Sequence, residues 1–314
     1  MKPGAFIWFC AVGLGAWTAC AGCAAAPRDQ GAALVPELQQ LHLRGQHFLQ
    51  RGDATRAKAL FEKAKQLAER HDDRLGLVYA LNDLGAVASA EGAPVQALKL
   101  HREALSIAEG QGQPPAVLLS LGHLGMALQQ AGQSEEAIAV YGRAVGLARD
   151  LADQRMEAVL LNNLGLAQQE TGALGDAERS FRQALDLNRK LGERQAEAAN
   201  LVNLGLAAER NGALVEAQQR FEETLALDKS LGETRHIAAD LAHLSRVSEQ
   251  RGLGSIALDY AKRAYRGYRA LGDLDRARGE LQRVLKLVRE QGDQREIERF
   301  EAELRSLGAN HTAP

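Results

Sequence analysis

The sequence predicts an all-α chain, an α-solenoid of about seven helical hairpins laid side by side. Three observations carry that reading. The stretch LNNLGLAQQETGALGDAERSFRQALDLNRKLGE, Leu161 to Glu193, returns forty residues later as LVNLGLAAERNGALVEAQQRFEETLALDKSLGE, Leu201 to Glu233, and more loosely from Leu81 and Leu121. Leucine stands at 41, 81, 121, 161, 201, 241 and 281, and glycine at 52, 92, 132, 172, 212, 252 and 292. Self-similarity at so long a period is the mark of a stacked array.

Each unit begins with a helix. Leu161, Leu164 and Gly165 follow i, i+3, i+4 and so share one face. That glycine recurs as Gly45, Gly85, Gly125 and Gly205. Glycine inside a helix costs about 1 kcal/mol against alanine, which implies close approach of a second helix. The strict glycine column falls just past the amphipathic run, where a left-handed residue ends a helix and turns the chain back. Glu136, Asp176 and Glu216 follow, acidic residues suited to the positive end of the next helix. The second helix carries Ala177, Phe181, Ala184 and Leu185, a narrow apolar stripe at i, i+4, i+7, i+8. Its alanine recurs at 57, 97, 137, 217 and 257, and its aromatic as Phe61, Tyr141 and Phe221, with His101 in the same slot. Small beside large lets two helices interlock at short distance.

Helix, glycine turn, helix, with a small residue, an alanine and an aromatic in fixed order, resembles the tetratricopeptide repeat over roughly residues 37–307. The period is forty residues rather than thirty-four, and leucine stands where the family usually has tryptophan. Similar long repeats with an L-G-[DE] break, here at 191–193, 231–233 and 271–273, occur in scaffold and regulatory proteins. The resemblance implies fourteen helices in a right-handed superhelix whose first helices line a concave groove for protein segments. An unrelated hairpin solenoid is the competing architecture.

Composition agrees with an array. Of 314 residues 46% are apolar and only 4% aromatic, as in cores built from alanine and leucine. The net charge of −2 gives no global sign of nucleic acid or an anionic surface as partner.

Residues 1–23 differ from the rest. Lys2 precedes an apolar run from Ala5 to Gly22, the pattern of a secretory signal. Its end, Cys20-Ala21-Gly22-Cys23, resembles a bacterial lipobox, which implies cleavage before Cys23 and lipidation of that residue. Cys20 stands where leucine is usual, and is the alternative acceptor. Three other readings compete: an uncleaved membrane anchor, ordinary cleavage after Ala24-Ala25-Ala26, and a redox C-x-x-C. No cysteine follows residue 23, so the array holds no disulfide. Residues 24–36 read as a flexible tether, with Pro36 suited to a helix start. Repeats follow at about 37–76, 77–116, 117–156, 157–196, 197–236 and 237–276. Pro94, Pro114 and Pro115 fall at helix starts. The charged final unit reads as a solvating cap, and 308–314 as a tail whose Asn310-His311-Thr312 is a chance match to a glycosylation acceptor.

The chain has no phosphate-binding glycine loop, zinc-protease motif, nucleophile elbow or metal-spaced Cys/His set. The reading is therefore of a protein that is not an enzyme and uses no cofactor, metal, nucleic acid or small-molecule substrate. His101 is expected to be a packed side chain. The informative polar column precedes the leucine-glycine pair: Asp83, His123, Asn163, Asn203 and His243, with Asn82 and Asn162 beside it. In proteins of the resembled family an asparagine there often bonds the backbone of a bound segment, since an amide donates and accepts at once. The other reading has these amides bonding neighbouring helices and holding repeat spacing. The expectation is a membrane-anchored scaffold or adaptor with protein or peptide clients, supporting assembly or regulation of an envelope complex. With Ala24 after the acceptor, the resemblance implies an outer-membrane lipoprotein facing the periplasm. A soluble periplasmic or inner-membrane location is the alternative. A peptide-sensing regulatory module is the rival function.

Overall fold

The structure, a computed structural model, describes residues 36–309. The signal segment with Cys20 and Cys23, the tether as far as residue 35 and Asn310-His311-Thr312 lie outside the described residues, while Pro36, the last residue of the expected tether, already belongs to a helix. Among those described there are fourteen helices and no strand. In order they are α1 (Pro36–Gln50), α2 (Ala54–Arg70), α3 (Arg74–Ala90), α4 (Pro94–Gly110), α5 (Pro114–Gln130), α6 (Ser134–Asp150) and α7 (Gln154–Glu170). Then come α8 (Leu174–Leu191), α9 (Arg194–Arg210), α10 (Leu214–Leu231), α11 (Thr234–Gln250), α12 (Gly254–Ala270), α13 (Leu274–Gln291) and α14 (Gln294–Ala309). The chain divides into two compact units, one ending at Leu187 within α8 and one beginning at Asn188. No described helix is long and apolar enough to cross a membrane.

Local chemistry sets the helix ends. Asp53, Asp73, Asp153 and Asp273 are N-caps whose carboxylates accept from the backbone N–H three residues on, at 3.0, 2.8, 2.9 and 3.3 Å. Pro94 and Pro114 open α4 and α5, where a missing N–H loses nothing. At the turn after α7, Gly172 has φ 83° and Ala173 donates back to the Gln168 carbonyl at 2.9 Å, as a helix closing on a left-handed residue requires. The turns between repeats use the same conformation. Two residues other than glycine hold it there, Asp72 at φ 51° and Ala152 at φ 53°.

The hairpin core is the small-large pattern of the sequence. Ala57, Ala97, Ala137, Ala177, Ala217 and Ala257 are fully buried, as are Phe61, Tyr141, Phe181 and Phe221. The first-helix glycine seats the ring of its own hairpin: a Cβ on Gly205 would lie 2.7 Å from Cε1 of Phe221. In the next repeat the volumes are redistributed. Ser245 replaces the glycine, buried Ala261 stands in the aromatic slot, and the Ser245 hydroxyl donates to the Ala257 carbonyl at 3.0 Å. Between repeats, second helices are laced by exposed ion pairs. Arg102–Glu136 at 2.9 Å and Arg143–Glu109 at 2.6 Å lie in the first unit, and Arg269–Glu303 at 2.6 Å in the second. Each such pair contributes at most about 1 kcal/mol; their recurrence sets spacing more than stability.

Candidate binding face on the first helices

In the first unit, α3, α5 and α7 carry one repeated row. Residues at i, i+4 and i+7 share a helix face, which groups Tyr79, Asp83 and Ala86, then Leu119, His123 and Met126, then Val159, Asn163 and Leu166. The apolar members of all three rows are half-buried. The result is an apolar-polar-apolar strip with one charged side chain, Asp83, unlike the ion-paired second helices. The apolar members were hidden in the sequence by the leucine columns beside them; their signal was the spacing of seven on every first helix.

Within this face the structure separates residues that the sequence treats alike. Asn82 is turned inward and only 1% exposed. Its Nδ2 donates to Ser120 Oγ on α5 at 2.9 Å, and its Oδ1 accepts from His101 Nδ1 on α4 at 3.0 Å. Asn82 therefore ties three helices together, and its place in the expected groove is corrected: the amide is buried, and its nitrogen and oxygen are each engaged by a neighbouring helix. His101 is packed, as expected, with burial pushing its pKa well down, helped by His123, which stacks on it at 5.3 Å.

Asp83 bonds His42 of α1. Burial raises the Asp83 carboxyl more than His42 and Gln46 lower it. Burial would lower His42, but the bond and charge of Asp83 outweigh it and hold the imidazole above its ordinary value. His123 is pushed down by burial to about 4, so it is neutral at pH 7. Asn162 and Asn163 are both largely buried, and Asn162 Nδ2 reaches Asn163 Oδ1 only at 3.5 Å. Asn163 Nδ2 is a donor with no acceptor in the protein. Such a group costs about 1–3 kcal/mol if buried without one.

In the second unit the equivalent rows become charged. Asn203 and Leu206 on α9 are half-buried. On α11, His243 and Arg246 occupy the row, and on α13 Arg283 and Lys286. Arg246 donates to both carboxylate oxygens of Glu209 at 2.5 and 2.6 Å and to His243 Nδ1 at 3.0 Å. Burial would raise Glu209, but Arg246 outweighs it and holds the carboxylate below its usual range. His243 stacks on Phe221 at 4.8 Å, and burial with the Arg246 charge pushes it down to about 4. Arg283 donates to Glu249 at 2.8 Å, and Lys286 bonds the same carboxylate. These cations are held by carboxylates of adjoining first helices.

Among the described residues no three His, Cys, Asp or Glu side chains gather as a metal site would require. The arrangement can hold a segment by apolar contact and neutral hydrogen bonds; it presents no nucleophile beside a base.

Residues 38–110 and 116–190 match the family model for the tetratricopeptide repeat. No curated protein is matched by the sequence. Among solved structures, the fold is similar to a signal transduction ATPase with numerous domains and a tetratricopeptide repeat sensor from Pyrococcus horikoshii (TM-score 0.75, 15% identity, 86% of this chain and 41% of that one). It is similar to BtubC from P. vanneervenii (TM-score 0.62, 21% identity, 75% and 92%). It is also similar to a Rap protein complexed with competence and sporulation factor (TM-score 0.58, 15% identity, 84% and 78%). The likeness to all three is one of fold.

Proposed function

From the tetratricopeptide repeats over residues 38–110 and 116–190, we propose that this protein is a non-enzymatic scaffold that binds extended protein segments on its first helices. It is carried to the periplasmic face of an outer membrane by a lipid on Cys23 and supports assembly or regulation of an envelope complex. The observation that supports the binding reading most directly is the strip on α3, α5 and α7. Half-buried Leu119, Met126, Val159 and Leu166 offer apolar contact, and Asn163 offers a donor without an acceptor of its own. That donor is itself buried, so it would meet a main-chain carbonyl of a client, irrespective of client sequence, when the side chain turns outward. The anchoring reading rests on the Cys20-Ala21-Gly22-Cys23 sequence.

A second reading, a peptide-sensing regulatory module, draws support from the tetratricopeptide repeat sensor and the factor-bound Rap protein whose fold this chain shares. The experiment is client capture by cross-linking in membrane extract, followed by titration of the captured segment against wild type and Asn163→Ala/Asn203→Ala. Each neutral hydrogen bond is worth roughly 0.5–1.5 kcal/mol net, so the double variant should bind about tenfold or more weakly with little change in Tm. An earlier melt with unchanged affinity would show that these amides hold helices together and retire the groove. A captured client that is a small peptide, with no envelope protein, would favour the sensing module.

A further inference from the structure

Asn188 at the end of α8 and Asn200 in α9 are buried, and Asn188 Nδ2 donates to Asn200 Oδ1 at 2.7 Å across the turn between two repeats. Forty residues on, the same two positions are Asp228, near the end of α10, and Asp240 in α11. Both are 2% exposed. The two carboxyls are within hydrogen-bonding reach of each other. Asp228 Oδ1 and Asp240 Oδ2 are buried and receive no hydrogen bond from any N–H or O–H.

An amide pair bonds because one member donates and the other accepts. Two carboxylates have no donor between them, and a buried charge without a partner is strongly unfavourable. The pair can reproduce the Asn188–Asn200 contact only with a proton on one member. We propose that Asp228 and Asp240 share one proton, and that this proton makes the joint between α10 and α11 a pH-sensitive link in the array, closed when the proton is held and loosened when it leaves. This goes beyond client binding and does not depend on it.

The groups around the pair fit that role. From the turn, Glu233 adds negative charge beside Asp228. From α11, His236 Nδ1 lies 3.7 Å from Asp228 Oδ2 on a side chain 39% exposed, so it balances one carboxylate when protonated. From α12, Tyr268 faces Asp240; burial pushes its phenol up to about 12, so it stays neutral, and Arg276 of α13 stacks over its ring at 5.7 Å. Burial and the neighbouring Asp228 raise Asp240 to about 8, and burial raises Asp228 as well.

The direction follows from linkage. An unfolded aspartate loses its proton near pH 4, whereas the folded pair keeps one to about pH 8. Between those values the folded state binds the extra proton, so stability falls as pH rises and levels above the upper value. In a repeat array the change falls on one interface between neighbouring units.

Three full-length proteins test this: wild type, Asp228→Asn/Asp240→Asn, and Asn188→Asp/Asn200→Asp. Melting is followed from pH 5.5 to 8.5. Relative to the Asp228→Asn/Asp240→Asn variant, wild type should lose up to tenfold in its folded-to-unfolded ratio per pH unit until about pH 8. Asn188→Asp/Asn200→Asp should lose it about twice as steeply, having two such joints. Wild type should also show an infrared band of a protonated carboxyl at pH 6.5 that the Asp228→Asn/Asp240→Asn variant lacks. A stability gap that is constant across the range, or wild type without the band at pH 6.5, overturns the proposal. Should the Asp228→Asn/Asp240→Asn variant not fold, Asp240→Asn takes its place: a band at pH 6.5 that wild type shows and Asp240→Asn lacks supports the shared proton, and a wild type without the band refutes it.

Discussion

Gly165 and Phe181 are fitted to each other across one hairpin: a Cβ on Gly165 would lie 2.6 Å from Cε1 of the fully buried ring. The glycine's cost in helix propensity is thus offset by the ring that fills its place. Gly165→Ala should destabilise by about 1–3 kcal/mol through overpacking, although alanine is the better helix former. Phe181→Ala should cost about 3–5 kcal/mol and disturb both flanking repeats. In a Phe181→Leu background Gly165→Ala should become neutral or stabilising. Denaturant unfolding of wild type, Gly165→Ala, Phe181→Leu and Phe181→Leu/Gly165→Ala reads the coupling; strictly additive effects would show that the two positions do not meet.

His101 occupies the same slot as Phe181 but holds Asn82 by a hydrogen bond of 3.0 Å. His101→Phe restores the ring of the other repeats yet leaves Asn82 Oδ1 buried without its donor. It should lower stability by about 1–3 kcal/mol, and Asn82→Leu should recover part of that loss. Thermal melts that rank His101→Phe at or above wild type would show that the bond contributes nothing.

Burial against Phe221 and the charge of Arg246, which donates to its Nδ1, keep His243 neutral. Its folded pKa is about 4 against an ordinary value of about 6.5. Below that ordinary value the unfolded chain takes up a proton that the folded one refuses. The contribution is therefore complete above about pH 6.5 and is lost as pH falls toward 4. This sign is opposite to that of the Asp228–Asp240 pair. His243→Phe should flatten the acid side of the Tm-against-pH curve by up to tenfold in the folded-to-unfolded ratio per unit. Parallel curves for the two proteins between pH 4.5 and 7 would contradict it.

Lipidation is read from Cys23. Radiolabelled palmitate should enter wild type, and Cys23→Ser should abolish the label and release the protein to the soluble periplasmic fraction. Label that persists in Cys23→Ser and vanishes in Cys20→Ser moves the acceptor to Cys20. Absence of label from every variant would end the lipoprotein reading.

The sequence by itself determined the helices, the turns and the hairpin core, because these follow from neighbours along the chain. Turn glycines such as Gly172 need only their own backbone conformation, and Ala177 and Phe181 face inward by helical phase alone. Tertiary structure decided what each polar side chain does. Asn82 and Asp83 are adjacent in sequence, but a rotation of about 100° between successive helical residues sends Asn82 inward to Ser120 and His101 and puts Asp83 on the outer row with His42. Asn163 and Asn82 look alike in the repeat, yet only Asn163 keeps a donor without an acceptor. Asp228 and Asp240 are brought together in a buried site by the repeat turn, where one side chain's charge depends on the other's. A polar group's role depends on its partners and on how much water is left to it, and both are settled only when the helices close on one another.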